Sequence, residues 1–298
     1  MNFASAAIEV LSALTTAANL FIIAAGLSLV FGALRIINLA HGSFYMIGAL
    51  LMASLLAPGR SALLFWPALL LSPLLMAGLG ALLERFLFRR IYRAEHLMQL
   101  LLSYALSLML ADLALRLWGA DSRTVPPPPL LAGAVGAGGV SFPLYDLFVI
   151  GLALAVGCAL WALLRYTRFG WEIRAAVEDP ESLALCGRNV PALFTAVFAL
   201  GAFLAGLGGA AIAPLQAIGP GMDSAILVSA FIVTVIGGLG SIAGAALGAA
   251  VIGLFQAVGT VWLPTWAPAF IFLAMIIVLV FRPSGLLGAP TQSWGEET

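Results

Sequence analysis

The chain has 298 residues, 63% of them hydrophobic and 9% charged, with a formal net charge of zero. Soluble globular chains carry about 45–50% apolar and about 25% charged residues, so a mean hydropathy of +1.12 places this chain in a bilayer, and the charge balance leaves no footprint for nucleic acid. All 13 basic residues are arginine, which excludes a GxxxxGK[ST] phosphate loop because that motif needs a lysine to reach nucleotide phosphates; if the protein uses ATP, another subunit hydrolyses it.

A helix needs about 20 apolar residues to cross the hydrocarbon core. The first predicted span runs from about Leu11 to Leu34 and the second from about Ile36 to Ala57. The third covers about Ala62 to Leu83, the fourth Leu97 to Trp118, the fifth Leu144 to Leu164 and the sixth Ala192 to Gln216. The stretch from Ser224 to Trp262 is too long for one helix and is interrupted at Gly237-Gly238-Leu239-Gly240-Ser241, so it holds two spans, or one span and a re-entrant piece. The last span is about Trp266 to Phe281, ended by Arg282-Pro283. The fold class expected is an all-α polytopic transmembrane bundle of eight or nine spans, with residues 1–298 forming one domain. High glycine content, 32 residues, suits helices that approach closely within lipid. The N-terminus lacks a positively charged start before its apolar stretch, so no cleavable signal peptide is expected.

Arginine-rich loops stay on the cytoplasmic side. The segment Glu84–His96 holds Arg85, Arg89, Arg90 and Arg93, and Arg165–Pro191 holds Arg165, Arg168, Arg174 and Arg188. The opposite loops hold Arg60 and Arg123. Both rich loops are therefore predicted cytoplasmic and the N-terminus outside. The tail at Arg282 falls inside only if the interrupted stretch and the last helix together make an odd number of crossings. The outer loop at about 119–143, with Pro126–Pro129 and a glycine-rich run, is predicted to be an irregular cap or connector.

Catalysis and metal binding find little support. His41 and Ser43 are two apart, and on a helix they point away from each other, which argues against an intramembrane hydrolase. Cys158 and Cys186 have neither metal-ligand spacing nor a disulfide framework. No catalytic residue, metal ligand or bound cofactor is expected. Proton- and sodium-driven carriers bury ionisable groups at mid-membrane, and the predicted spans hold few. Asp112 and Arg116 are spaced for a surface salt bridge, while Glu9 and Asp146 fall at span ends.

Two features remain. About 170–190 reads as a cytoplasmic segment with a short capped helix: Asp179 is a good N-cap, Pro180 fits the first helical position, Glu181 complements the helix dipole and Gly187 suits the C′ position. Such a helix, presenting Leu183, lies in the headgroup layer or fits a groove on a partner. The second feature is a pair of glycine-interrupted segments, Asn38–Ala49 and Leu239–Ala249. Interruptions of spanning helices are tolerated where they line a cavity or face other protein, and paired ones point to a substrate path. Close packing of small residues at Gly240, Gly244 and Gly248 is the simpler alternative for the second. For the first, Asn38 and His41 are costly polar choices without partners.

Together, Ile36–Ala49, Glu84-Arg85-Phe86, Phe169-Gly170 with Arg174-Ala175-Ala176 and Glu178-Asp179, Val235–Ala245 and Phe281–Gly288 resemble the permease subunit of branched-chain amino acid ABC importers. The likeness runs from about Leu20 to Gly288, and the INLAHG segment with the compact length resembles the H-type subunit. It implies a single permease domain in the bacterial inner membrane, working with two cytoplasmic ATP-binding subunits, a second and different permease subunit, and an extracytoplasmic substrate-binding protein. ATP would be bound by the partners. The resemblance implies that Arg174, Ala175, Ala176, Glu178, Asp179, Pro180, Leu183 and Gly187 dock on the ATPase. The candidate path comprises Asn38, His41, Gly42, Ser43, Tyr45, Gly237, Gly238, Gly240 and Ser241. Branched-chain or related amino acids are the expected substrates; a urea or short-amide permease of the same family, or a stand-alone secondary transporter, are the alternatives. Pro180 and Trp171 depart from the family's more familiar pattern.

Overall fold

The computed structural model describes residues 3–56, 62–92, 94–137, 140–262 and 264–288. Arg60 and Arg93, two of the arginines used to orient the chain, lie outside the described residues. The fold is all-α, with helices at Phe3–Leu34 (α1), His41–Leu55 (α2), Phe65–Phe86 (α3), His96–Trp118 (α4) and Leu144–Tyr166 (α5). There follow Arg168–Glu178 (α6), Pro180–Leu185 (α7), Val190–Ile212 (α8), Met222–Gly237 (α9), Ile242–Trp262 (α10) and Ala267–Phe281 (α11).

Seven described helical stretches are long and apolar enough to cross a membrane, and two shorter apolar helices, α2 and α9, lie among them. The expected eight or nine spans thus resolve into seven full-length helices and two short ones. The 15 residues of α2 and 16 of α9 rise only about 22–24 Å at roughly 1.5 Å per residue, short of the roughly 30 Å hydrocarbon core. The long stretch from Ser224 to Trp262 is a pair of antiparallel helices: Val233 packs on Gly248 and Gly237 on Gly244. Three crossings, α9, α10 and α11, then return the chain to the end of the bundle that holds the α9–α10 turn. There the N–H groups of Leu286 and Leu287 donate to the carbonyls of Ile236 and Gly237 at 2.8 and 2.9 Å.

The helices sort by burial. Along their apolar lengths α1 and α8 are the most enclosed and α11 the least, so α1, α2 and α8 form the centre and α3, α4, α5 and α11 the rim. In lipid the apolar effect does not draw helices together, and small residues that allow close approach take over that role. A methyl group at Gly48 would stand 2.6 Å from the Cα and from the carbonyl oxygen of Gly206, so α2 reaches α8 through bare backbone. Glycine serves the same purpose where α3 meets α8, Gly80 lying against Ala202.

The loop at 119–143, expected to lie outside, differs from its expected form. Rather than being irregular throughout, it carries a short antiparallel hairpin, Ala134–Ala137 (β1) with Val140–Pro143 (β2). Val135 faces Phe142 across the pair, an apolar cross-strand contact of the kind that stabilises sheets, and the Leu144 N–H closes the loop onto the Gly133 carbonyl at 3.0 Å.

Gly48→Leu is expected to destabilise the protein by about 1–3 kcal/mol or more, because backbone atoms cannot move aside as a side chain can. A thermal melt in detergent checks this. An unchanged midpoint would contradict the α2–α8 packing.

Candidate functional site

The first glycine-interrupted segment begins where α1 ends. Arg35 adopts φ +55 and its N–H closes on the Phe31 carbonyl at 2.8 Å. A left-handed residue is a common helix stop, and a side chain other than glycine there costs about 1 kcal/mol or more. The chain then turns back beside α1 without forming helix. The Asn38 side-chain oxygen accepts the Ala40 N–H at 3.0 Å, and the Ser103 hydroxyl of α4 approaches the Ile37 carbonyl at 3.3 Å. These bonds hold the non-helical backbone until α2 starts at His41. The His41 Nε2 donates to the Ile23 carbonyl at 3.2 Å. Because a carbonyl only accepts, the neutral ring presents Nδ1 as an acceptor. Ile23 lies 11 residues before the end of α1, about 16 Å along the axis. Hence α2 begins deep inside the bundle.

Two cavities flank this level. One, of about 1040 Å³, has Gly32, Arg35, Ile37, His96, Gln99, Val177, Gly240 and Ser241 in its wall. It opens at the end that holds α6, α7 and the tail. The other, of about 370 Å³, has Thr15, Asn19, Tyr45, Asp146, Gln216 and Gln256 in its wall and lies toward the opposite end. Residues 20–30 of α1 and 38–44 run between them. In that layer Asn38, His41 and Ser43 are at most 1% exposed. Buried polar atoms normally have partners, yet Asn19 Oδ1, Ser28 Oγ, Asn38 Nδ2 and His41 Nδ1 have none among the described residues. Unpaired polar groups follow the chain from one cavity toward the other.

The structure thus distributes the predicted path residues. Asn38, His41, Gly42 and Ser43 lie together in the layer, and Tyr45 forms part of the wall of the smaller cavity, its hydroxyl accepting from Asn19 Nδ2 at 2.9 Å. Gly237, Gly238, Gly240 and Ser241 form the tight turn between α9 and α10, and the last two also line the larger cavity. Gly238 and Gly240 have φ of +103 and +84, and the Ser241 hydroxyl accepts the Gly244 N–H at 3.0 Å, capping α10. The second interruption is therefore a turn at one end, while the first is a break within the bundle.

Four side chains escaped the sequence reading as site residues. Asn19 and Thr15 continue a polar line, Ser12, Thr15, Thr16 and Asn19, whose helical spacing was its signal. Asp223, one residue before the predicted span, has its carboxylate 3.5 Å from the Ser43 hydroxyl. Gly42 lies against the Asp223 carbonyl, so α9 also starts beside this layer. Glu84 is fully buried and joins the end of α3 to α8: it accepts from the Thr195 hydroxyl at 2.6 Å, the Tyr92 hydroxyl at 2.5 Å and Arg89 at 3.3 Å. Burial, then the Glu84 carboxylate, push the Tyr92 phenol well above its ordinary pKa, so it stays a donor.

The α6–α7 segment sits at the same end as Arg35, Arg89 and the tail. Thr167 caps α6 through the Gly170 N–H. Gly170 packs so tightly on the end of α5 at Leu164 that no side chain fits. Ile173 and Ala176 face inward, in one cluster with Leu29 and Ala33 of α1 and Leu193 and Val197 of α8. Arg174 and Ala175 face out, and Trp171 is 68% exposed. The Asp179 carboxylate caps α7 by accepting the Glu181 and Ser182 N–H groups at 3.0 and 3.1 Å. The Ser182 hydroxyl, then its N–H, hold the Asp179 pKa below its ordinary value. A depressed carboxylate contributes stability that is present above the unfolded pKa and lost as pH falls through the folded one, so the cap is complete at neutral pH. Gly187, at φ +78, ends the helix, and Arg188 pairs with Glu172 at 2.9 Å. Leu183 is partly covered, whereas Leu185 is 88% exposed. Elsewhere, Asp112 and Arg116 form the expected surface pair at 2.7 Å. Among the described residues no cluster of His, Cys, Asp or Glu could hold a metal ion.

Glu84→Ala leaves Arg89 beside an empty site and removes the acceptor of two hydroxyls. A loss of about 1–3 kcal/mol is expected, as for leaving buried donors without their acceptor, and Glu84→Gln should cost less. Thermal melts of the two variants check the order; equal midpoints would contradict the assigned role.

A family model described as the permease component of branched-chain amino acid transport systems matches residues 10–280. The chain is 28% identical over 294 residues to the high-affinity branched-chain amino acid transport system permease protein BraD of Pseudomonas aeruginosa, covering 95% of each chain. It is 28% identical over 295 residues to the corresponding LivH protein of Escherichia coli strain K12, again covering 95% of each. A probable branched-chain amino acid transport permease protein LivH of Methanocaldococcus jannaschii is 27% identical over 91% of this chain and 87% of its own. No solved structure matches. With its long apolar helices, its polar layer and these full-length likenesses, the chain belongs to the permease-component family of branched-chain amino acid transport systems, as an H-type subunit.

Proposed function

We propose that this multi-pass inner-membrane permease imports branched-chain or related amino acids, driven by ATP hydrolysed on two separate cytoplasmic subunits. It pairs with a second, different permease subunit and receives substrate from an extracytoplasmic binding protein. The observation that carries the reading is α7: a helix capped at both ends, largely exposed, and joined to α6, whose inner face of Gly170, Ile173 and Ala176 is buried. Such a helix bears load without fraying, and Leu185 offers an apolar knob to a groove on a partner. The arginines Arg35, Arg89, Arg174 and Arg188 gather at this end, which supports a cytoplasmic position for it and for the tail, with the start of α1 outside.

Force applied at α7 has a direct route inward. Glu172–Arg188 and the Asp179 cap make α6 and α7 move together, and Ile173 and Ala176 pass the movement to α1 and α8. Both helices border the layer of Asn38, His41, Gly42 and Ser43. ATP drives this only by binding one arrangement of the transporter more tightly than the other. A small rotation of α1 relative to α2 would change which cavity the unpaired polar atoms face.

The test is uptake by the reconstituted complex of labelled leucine against urea, acetamide and other amino acids, with and without ATP. ATP-dependent leucine uptake is the expected result; preference for urea or acetamide would favour the short-amide alternative, and uptake by this chain without ATPase subunits would mark a secondary transporter. Leu185→Glu should lower ATP-driven uptake by about tenfold or more, since a lost apolar anchor costs upwards of about 1.4 kcal/mol, and Glu178→Lys with Asp179→Lys should lower it by reversing the segment's charge and removing the α7 cap, while membrane insertion persists. Normal uptake and normal copurification of ATPase subunits with these variants would contradict docking at α7.

A further inference from the structure

A third cavity, of about 360 Å³, opens on the outer surface of the bundle, where α5 and α10 both pack on α1. It shares no lining residue with the two cavities described above, so it lies off the path between them. Phe21 of α1 forms its floor, with ring atoms 3.3 Å from where a methyl group at Gly157 would stand. On the other side Ala243 and Ala246 of α10 are exposed, and these small side chains keep the groove open. Apart from two arginines, every described lining side chain is aliphatic or aromatic.

The arginines stand together at one end. Arg165 lies in the last turn of α5 and Arg174 on α6. Gly157 stands about two turns before Arg165, roughly 12 Å along the helix, so the groove runs from a basic mouth into apolar depth. Arg174 is turned back on α5: one guanidinium nitrogen donates to the Leu164 carbonyl at 2.5 Å, and its Cζ lies 5.7 Å from the centre of the Trp171 ring. Neither Arg165 nor Arg174 has a carboxylate partner among the described residues. Their remaining donors suit a phosphate. Trp161, in the groove wall, meets Tyr166 edge-on at 5.2 Å, and such rings mark the level where hydrocarbon gives way to headgroups.

A free phosphate would use the arginines and leave the apolar wall bare. A neutral acyl chain would fill the wall and leave the arginines unpaired. Phosphatidylcholine would bring its phosphate with a quaternary ammonium, for which the described wall holds no carboxylate. An anionic phospholipid satisfies both ends, as in other basic pockets between membrane helices. We infer that the groove between α5 and α10 binds an anionic phospholipid, with one acyl chain against Phe21 and Gly157 and the phosphate on Arg165 and Arg174. The bound lipid ties the end of α5 to α6. Binding needs neither ATP nor transport, so the inference stands or falls separately from the import proposed above.

The experiment measures, by native mass spectrometry, the binding of phosphatidylglycerol and phosphatidylcholine of equal chain length to the full chain released from detergent micelles. Phosphatidylglycerol should bind about tenfold more tightly. Arg165→Gln with Arg174→Gln should remove that preference, whereas Arg282→Gln, at an exposed arginine outside the groove, should leave it. Ala246→Phe should weaken phosphatidylglycerol binding with both arginines in place, because the ring fills the groove. Equal affinities for the two lipids would overturn the site. So would a preference that survives the double substitution or falls equally with Arg282→Gln, or binding unchanged by Ala246→Phe. Displacement of the lipid by glycerol 3-phosphate would mark a plain anion site, and loss of the lipid from the assembled transporter would mark a subunit interface; either result also overturns the inference.

Discussion

A bilayer has no water for unpaired backbone groups, so a chain that leaves the helix inside a membrane must be covered by protein or line a cavity. Residues 35–40 impose that condition on this molecule. Their coverage explains why α1 and α8 are the most enclosed helices, why Ser103 of α4 turns toward the Ile37 carbonyl, and why His41 is spent on the Ile23 carbonyl. It also explains the bare-backbone approach of α8 to α2 at Gly48 and Gly206. A bulkier seam there would uncover the very backbone the bundle encloses.

The same constraint produces the two short helices. A helix that starts deep in the bundle needs only part of the membrane thickness to reach the far side, so α2 stops after 15 residues. The first turn of α9 lies against that of α2, with Asp223 at Ser43. Two helix starts therefore meet beside one polar layer. Helix N-termini favour negative or polar groups nearby, and here the Asp223 carboxylate and the Ser43 hydroxyl occupy that position. The cavities lie on either side of this level, and in the proposed import cycle the layer is the barrier that α6 and α7 shift through α1 and α8.

Much of this was legible in the residues. Span positions followed from apolar length, and the cap residues Asp179, Pro180 and Gly187 located α7 to within a residue or two, because capping is local chemistry. The polar cost of Asn38 and His41 marked the internal break. Gly237–Ser241 offered the same glycine signal but forms an end turn, since glycine equally permits positive φ and close approach, and only the packing of Gly238 on the tail at Gly285 and Gly288 distinguishes them. Asn19 and Thr15 passed unnoticed because hydroxyls and amides in an apolar helix are common and can bond their own backbone, as Thr15 does. Glu84 looked like one member of an arginine-rich loop. Its partners Tyr92 and Thr195 stand 8 and 111 residues away, and such long-range pairing leaves no periodic trace. The eight or nine spans expected correspond to the seven long apolar helices and the two short ones, α2 and α9.

The account turns on whether the segment between the cavities changes exposure when the ATPase subunits close. Ser43→Cys, in a chain carrying Cys158→Ala and Cys186→Ala, reports on it directly in the assembled transporter. Modification by membrane-impermeant thiol reagents should differ between the nucleotide-free and ATP-bound states, with access from one side replaced by access from the other. A cysteine at this position that stays unreactive from both sides in every nucleotide state would contradict the account.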